Sequence, residues 1–140
     1  MIGIQYTYLS GDKDTSDNKY KAWDPMFEDQ TLNSIPNLLF VNSNMQVINL
    51  KGSMKPMEDV TVLVNYGNYR LAKKATSLTG YTSWSLNNKK DLGNALDLCA
   101  YYDYTEDVQL GLELGWFFPG KALKDDRTAN QVIGSMKVTF

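Results

Sequence analysis

The sequence predicts an all-β fold, an antiparallel up-and-down transmembrane β-barrel of which about six strands are visible. Three observations carry this prediction. Apolar and polar side chains alternate along six segments, short and long connections alternate strictly between them, and aromatic residues gather at both ends of the apolar faces. No stretch has comparable helical periodicity with caps.

Taken in order, the first segment runs from Ile2 to Leu9, with Ile2, Ile4, Tyr6 and Tyr8 on one face and Gly3, Gln5 and Thr7 on the other. The second, about Met45 to Met54, sets Ile48, Leu50 and Met54 against Asn49, Lys51 and Ser53. The third sets Val60, Val62, Val64 and Tyr66 against Thr61, Leu63, Asn65 and Gly67, and the fourth sets Leu96, Leu98, Ala100, Tyr102 and Tyr104 against Asp97, Cys99, Tyr101 and Asp103. The fifth sets Val108, Leu110, Leu112, Leu114, Trp116 and Phe118 against Gln109, Gly111, Glu113 and Gly115. The last sets Val132, Gly134, Met136, Val138 and Phe140 against Gln131, Ile133, Ser135, Lys137 and Thr139.

Two links are short and polar, Lys55-Pro56-Met57-Glu58-Asp59 and Thr105-Glu106-Asp107; the long loops cover about 10–44, 73–90 and 119–128. All short turns therefore lie at one end of the sheet and all long loops at the other, as in outer-membrane barrels. Residues opposed across a hairpin share a face, which suggests a register. Tyr104 opposite Val108 pairs Leu98 with Leu114 and Asp97 with Gly115, and lays Tyr101 over Gly111. Met54 opposite Val60 pairs Leu50 with Val64 and Asn49 with Asn65.

The first loop is unusually apolar, with Trp23, Phe27, Leu38, Leu39 and Phe40. Either it folds into the pore mouth or its stretch near Leu38 to Val41 extends the second strand. Leu38–Asn42 and Tyr81–Leu86 could each hold a further strand. Asp12, Asp14 and Asp17 resemble a calcium loop but lack the Gly and distal Glu of that pattern, so a solvated loop is favoured.

Alternation alone leaves open which face is outside. A soluble barrel points its apolar face inward, a membrane barrel points it to lipid. The aromatics favour lipid: Tyr102, Tyr104 and Phe140 fall at one margin, and Tyr6, Tyr8, Tyr66, Trp116 and Phe118 at the other, where amphipathic rings suit lipid-water interfaces. The opposite face is too polar for a dry core. Asn49, Lys51, Asn65, Asp97, Tyr101, Asp103, Glu113 and Lys137 are thus the candidate pore-lining residues. Asp97, Asp103 and Glu113 could in principle form an acid/base pair, but charged lumen lining is the better account and no catalytic residues are expected.

Composition narrows the rest. At 140 residues, 43% hydrophobic and 21% charged, the chain suits one domain spanning 1–140. The 14 basic and 16 acidic residues are spread out, giving a charge of -2 with no basic stripe, which disfavours nucleic acid. Cys99 stands alone and there is no His, so an intrachain disulfide, a Cys/His zinc site and a nucleophile/His pair are excluded; no metal or cofactor is expected. Met1 to Tyr8 reads as a strand and not as a signal peptide, and no 18-residue apolar run exists. Six strands fall short of the roughly eight of small outer-membrane barrels, so an incomplete C-terminal segment of a larger barrel is expected.

The alternating last strand ending on Phe140 resembles the terminal signal by which the barrel assembly machinery recognises outer-membrane proteins. Further residues carry a family resemblance. They are Tyr8-Leu9-Ser10-Gly11-Asp12 leading into Ala22-Trp23-Asp24-Pro25-Met26-Phe27, then Met54-Lys55-Pro56 before the Val60 strand. They continue with Gly93-Asn94-Ala95-Leu96-Asp97-Leu98, with Tyr102-Asp103-Tyr104, and with Gly115-Trp116-Phe117-Phe118-Pro119-Gly120. In these the chain resembles the C-terminal portion of the alginate-export family of bacterial outer-membrane β-barrels. The resemblance implies a monomeric barrel of many more strands, embedded in outer-membrane lipid and passing a polysaccharide or small polar solute. It also implies a pore lined by arginines suited to a polyanion. Only Arg70 and Arg127 are present, which makes a porin-like channel the closer expectation. The alternatives are a non-transport membrane barrel that binds a surface partner through its loops, and a soluble barrel or sandwich that binds an apolar ligand.

Overall fold

The computed structural model describes residues 1–12, 18–26, 32–78 and 83–140. In chain order its elements are β1 (Ile2–Leu9), α1 (Ser34–Leu39), β2 (Met45–Met57), β3 (Val60–Leu71), β4 (Ser77–Leu78), β5 (Trp84–Ser85), β6 (Asp91–Thr105), β7 (Val108–Pro119) and β8 (Ala129–Val138). The six long strands form one sheet in the order β1-β2-β3-β6-β7-β8, each antiparallel to its neighbours, while β4 and β5 pair only with each other. The fold is the expected all-β meander, with both short turns at one end and the long loops at the other.

The β6-β7 register is the expected one: Leu98 faces Leu114, Asp97 faces Gly115, and Tyr101 faces Gly111 with its ring against the glycine. Only the last pair differs, because a bulge after Asp103 sets Thr105, not Tyr104, opposite Val108. The β2-β3 register corrects the expectation by two residues. Met54 faces Val62, Leu50 faces Tyr66, and Asn49 faces Gly67. The strand continues through Lys55-Pro56-Met57, so the turn is only Glu58-Asp59, and a bulge between Met54 and Met57 absorbs Pro56, which has no N–H for a regular ladder. A shift of two keeps every side chain on its face. None of Glu58, Asp59, Glu106 and Asp107 has positive φ, so neither turn has the primed geometry that fits tight hairpins, and a bulge beside each takes up the mismatch.

The two faces differ sharply. On the apolar face Ile4 is 78% exposed, Val132 71% and Leu112 48%, with Ile48, Leu50, Val64, Leu110 and Met136 also open. The buried core lies on the other face, at the long-loop end. There Leu9, Met45, Val47, Tyr69, Leu71, Ala95 and Phe117 project from the strands against Leu32, Ile35, Phe40, Leu78, Leu86, Ala122 and Leu123 from the loops. Leu92 joins them because a bulge at Gly93, held at φ +136, turns this even-numbered residue inward.

Neither of the two loop stretches that could hold a further strand joins the sheet. The 38–42 stretch is the end of α1 and the coil after it; in the 81–86 stretch Tyr81 lies outside the described residues, and Trp84–Ser85 pairs only with Ser77–Leu78. Val41 does not extend β2, and the loop folds back over the polar face. Among the described residues no helix is long and apolar enough to cross a membrane, which says nothing of a β-barrel.

Candidate functional site

The polar face carries residues 32–40 of the first loop as a docked insert, and the docking point is Asn33. This residue occupies the N-cap of α1, where an Asn side chain ordinarily accepts from the helix's own N–H groups, but no such bond forms. The amide is engaged on the wall instead. Its Nδ2 donates to the Asn65 carbonyl (3.0 Å) and to Asp97 Oδ2 (2.9 Å), and its Oδ1 accepts from Asn49 Nδ2 (2.8 Å) and from the Tyr69 hydroxyl (2.9 Å). Ser34 adds its backbone N–H to Asp97 Oδ2 (3.2 Å) and its hydroxyl to Asp97 Oδ1 (3.0 Å). Asn65 closes the network by donating to the Leu32 carbonyl (2.7 Å) and accepting from Asn49 (2.9 Å).

Small residues make room for this. A Cβ at Gly67 would collide with the Asn33 side-chain oxygen and the Tyr69 ring; one at Gly115 would press on the Ser34 hydroxyl and Ile35. Phe40 anchors the far end of the loop, edge-on to Trp84 (5.5 Å) and Phe117 (5.6 Å), and the Trp84 indole N–H donates to the Leu39 carbonyl (3.1 Å).

The eight polar residues singled out from the sequence all lie on this face, at different depths. Asn49 is fully buried beneath the loop, with its Oδ1 unpartnered, and Asp97 is only 8% exposed. Lys51 and Asn65 are half-buried and border a cavity of about 470 Å³ with Leu32, Asp97 and Cys99. Toward the short turns, the Tyr101 hydroxyl donates to Glu113 (2.7 Å) and Gln109 donates to Asp103 (2.7 Å). Asp103 and Lys137 border a second cavity of about 590 Å³ at the turns themselves. Each carboxylate has its own neutral donor. Asn33, Ser34 and Tyr69 were not singled out from the sequence; the one available signal was an Asn-Ser-Ile-Pro helix start within a loop that has no periodicity.

The aromatics named from the sequence lie on the opposite, open face. Tyr6, Tyr8, Tyr66, Tyr102, Tyr104 and Phe118 are exposed and Trp116 half-buried, while Phe140 stands beyond the end of β8 and is fully exposed. Above the apolar band, Tyr66 and Asn68 both donate to Asn94 (2.9 and 2.8 Å). Of the three loop carboxylates, Asp12 accepts from the Lys21 N–H (3.2 Å), and Asp14 and Asp17 lie outside the described residues, as does Phe27. Among the described residues no group of acidic or Cys side chains is arranged to hold a metal.

A family model for alginate export matches residues 1–134. The chain belongs to the alginate export family. That family comprises outer-membrane transport channels, and in this member the apolar side of the sheet is the uncovered one. No curated protein and no solved structure gives a significant match.

Proposed function

We propose that this chain forms part of the wall of an outer-membrane channel, and that its first loop, folded onto the lumen face, narrows the bore through which a polysaccharide or small polar solute passes. The observation that carries this is the inversion of the sheet: aliphatic side chains open to the outside, with amides, carboxylates and a docked loop on the other side. A soluble barrel that binds an apolar ligand would have the opposite arrangement. The dimensions agree with a bilayer. From Asn94 to Tyr104, β6 covers roughly 33 Å at about 3.3 Å per residue, which is about 25 Å of height at a tilt of about 40°. Tyr102, Tyr104 and Val108 then mark one interface and Tyr6, Tyr66, Trp116 and Phe118 the other.

In this reading Lys51, Tyr101, Asp103, Glu113 and Lys137 face the water path below the loop, and Asn49, Asn65 and Asp97 hold the loop. The mixture of two lysines and two carboxylates along that path suits a neutral or weakly charged polar solute better than a dense polyanion.

Conductance in planar bilayers tests the proposal. Discrete channel steps, blocked by a neutral oligosaccharide added to one side, are the expected result. A chain that inserts with heat-modifiable gel migration yet never conducts would show a closed barrel whose loops serve binding and not transport.

A further inference from the structure

We propose that Asn33 and Asp97 form a lock that fixes the bore: together they hold the loop segment 32–35 at its deepest position, and the size of solute admitted depends on that bond. This rests on the channel reading above. Four side chains or carbonyls of the wall converge on one Asn, and among the described residues every hydrogen bond to the Asp97 carboxylate comes from Asn33 or Ser34. Those donors are neutral. A carboxylate 8% exposed, without an ion-pair partner among the described residues, depends on the loop for its solvation. The dependence is mutual, because Asn33, 2% exposed, has all its amide valences filled by the wall. Gly67 and Gly115 leave empty space in the wall wherever the loop departs. Leu32 and Ile35 flank this bond and are buried with the core, and the contacts of Phe40 lie nearer the long-loop end, so the Asn33–Asp97 bond is the polar contact that fixes segment 32–35 against the wall.

The chain carries its own reporter. Cys99 is partly exposed and lies two residues along β6 from Asp97, bordering the same cavity as Leu32. A charged methanethiosulfonate reagent, too polar to cross lipid, reads the loop's position through its rate of reaction with that thiol, and polyethylene glycols of graded size read the bore in planar bilayers. In the full chain, Asn33→Asp sets a carboxylate against Asp97. Its Cys99 labelling should rise about tenfold or more, the equilibrium factor expected for a lost hydrogen bond to a charged group, and the polymer cut-off should move to larger sizes. Combining Asn33→Asp with Asp97→Asn restores a donor and an acceptor, and should bring both readouts back toward the parent values. Ser34→Ala removes one hydroxyl bond outside the buried core and should move both in the same direction by less; it carries the test if Asn33→Asp does not insert. Folded, inserted single variants with unchanged labelling and unchanged cut-off overturn the lock. A parent chain that never conducts, while Cys99 labelling still rises in Asn33→Asp and falls in the exchanged pair, overturns the channel reading and leaves the lock standing.

Discussion

Gly67 bears no side chain because Asn33 and Tyr69 fill the space where one would project. A methyl there is an overpacking change of the kind that costs about 1–3 kcal/mol, and the loop is the softer of the two partners. Gly67→Ala should therefore lift segment 32–35 and speed Cys99 labelling, while Gly52→Ala and Gly134→Ala, which meet nothing within 4 Å, should leave it unchanged. A second residue-scale effect sits in the third long loop. The Arg127 guanidinium grips Asp125 at 2.6 Å and holds its carboxyl down to about 2, below the value of about 3.9 in an unfolded chain. A depressed folded value means the pair contributes above about pH 4 and is lost as pH falls through about 2. NMR titration of the Asp125 carboxyl should find it still ionised at pH 3, and Arg127→Gln should return it to the ordinary range. At this scale the sequence was half legible. Asp97 and Asn49 betray themselves by parity on a strand, whereas Asn33 has no periodic neighbours, and its partners are 16 to 64 positions distant.

The elements were legible in proportion to their regularity. Strands β1, β6, β7 and β8 follow from alternation of side-chain type, and in β6 and β7, where one face is open and the other engaged, a slip by one residue would expose every buried group. A slip by two preserves the faces. That is why the β2-β3 register could not be read from face purity, and why Pro56 and its bulge decide it. The helix α1 was missed because six residues are too few to display a 3.6-residue period. Its packing gives the element-scale prediction. Phe40 is 3% exposed between Trp84 and Phe117, and Phe40→Ala should cost the loop about 3–5 kcal/mol. Limited proteolysis should then cut within residues 32–44 while heat-modifiable migration of the barrel persists.

For the whole molecule, the meander was legible in the alternation of short turns and long loops, and the aromatic margins lie on the face that the structure leaves uncovered. What the sequence concealed was that the long-loop end of the polar face is a packed core and not open water, since Val47, Leu71 and Phe117 share parity with Asn49 and Asp97. The two faces should respond oppositely to charge. Leu98→Arg, mid-band on the open face, should cost about 2–4 kcal/mol of folding free energy in lipid vesicles, whereas Ser135→Arg on the polar face should cost much less. Among the described residues β1 and β8 are the margins of the sheet, and each presents one row of backbone groups that would need a partner strand in hydrocarbon.

The uncapped start of α1 determines how such a channel can open. Helices this short do not persist in water, and the one side chain placed to cap this one is bound to the wall instead. The segment is therefore helical only while docked. On the channel reading proposed above, it would not swing aside as a rigid lid; widening the bore would mean melting a turn of backbone, a small unfolding reaction with an unfolding reaction's steep response to temperature.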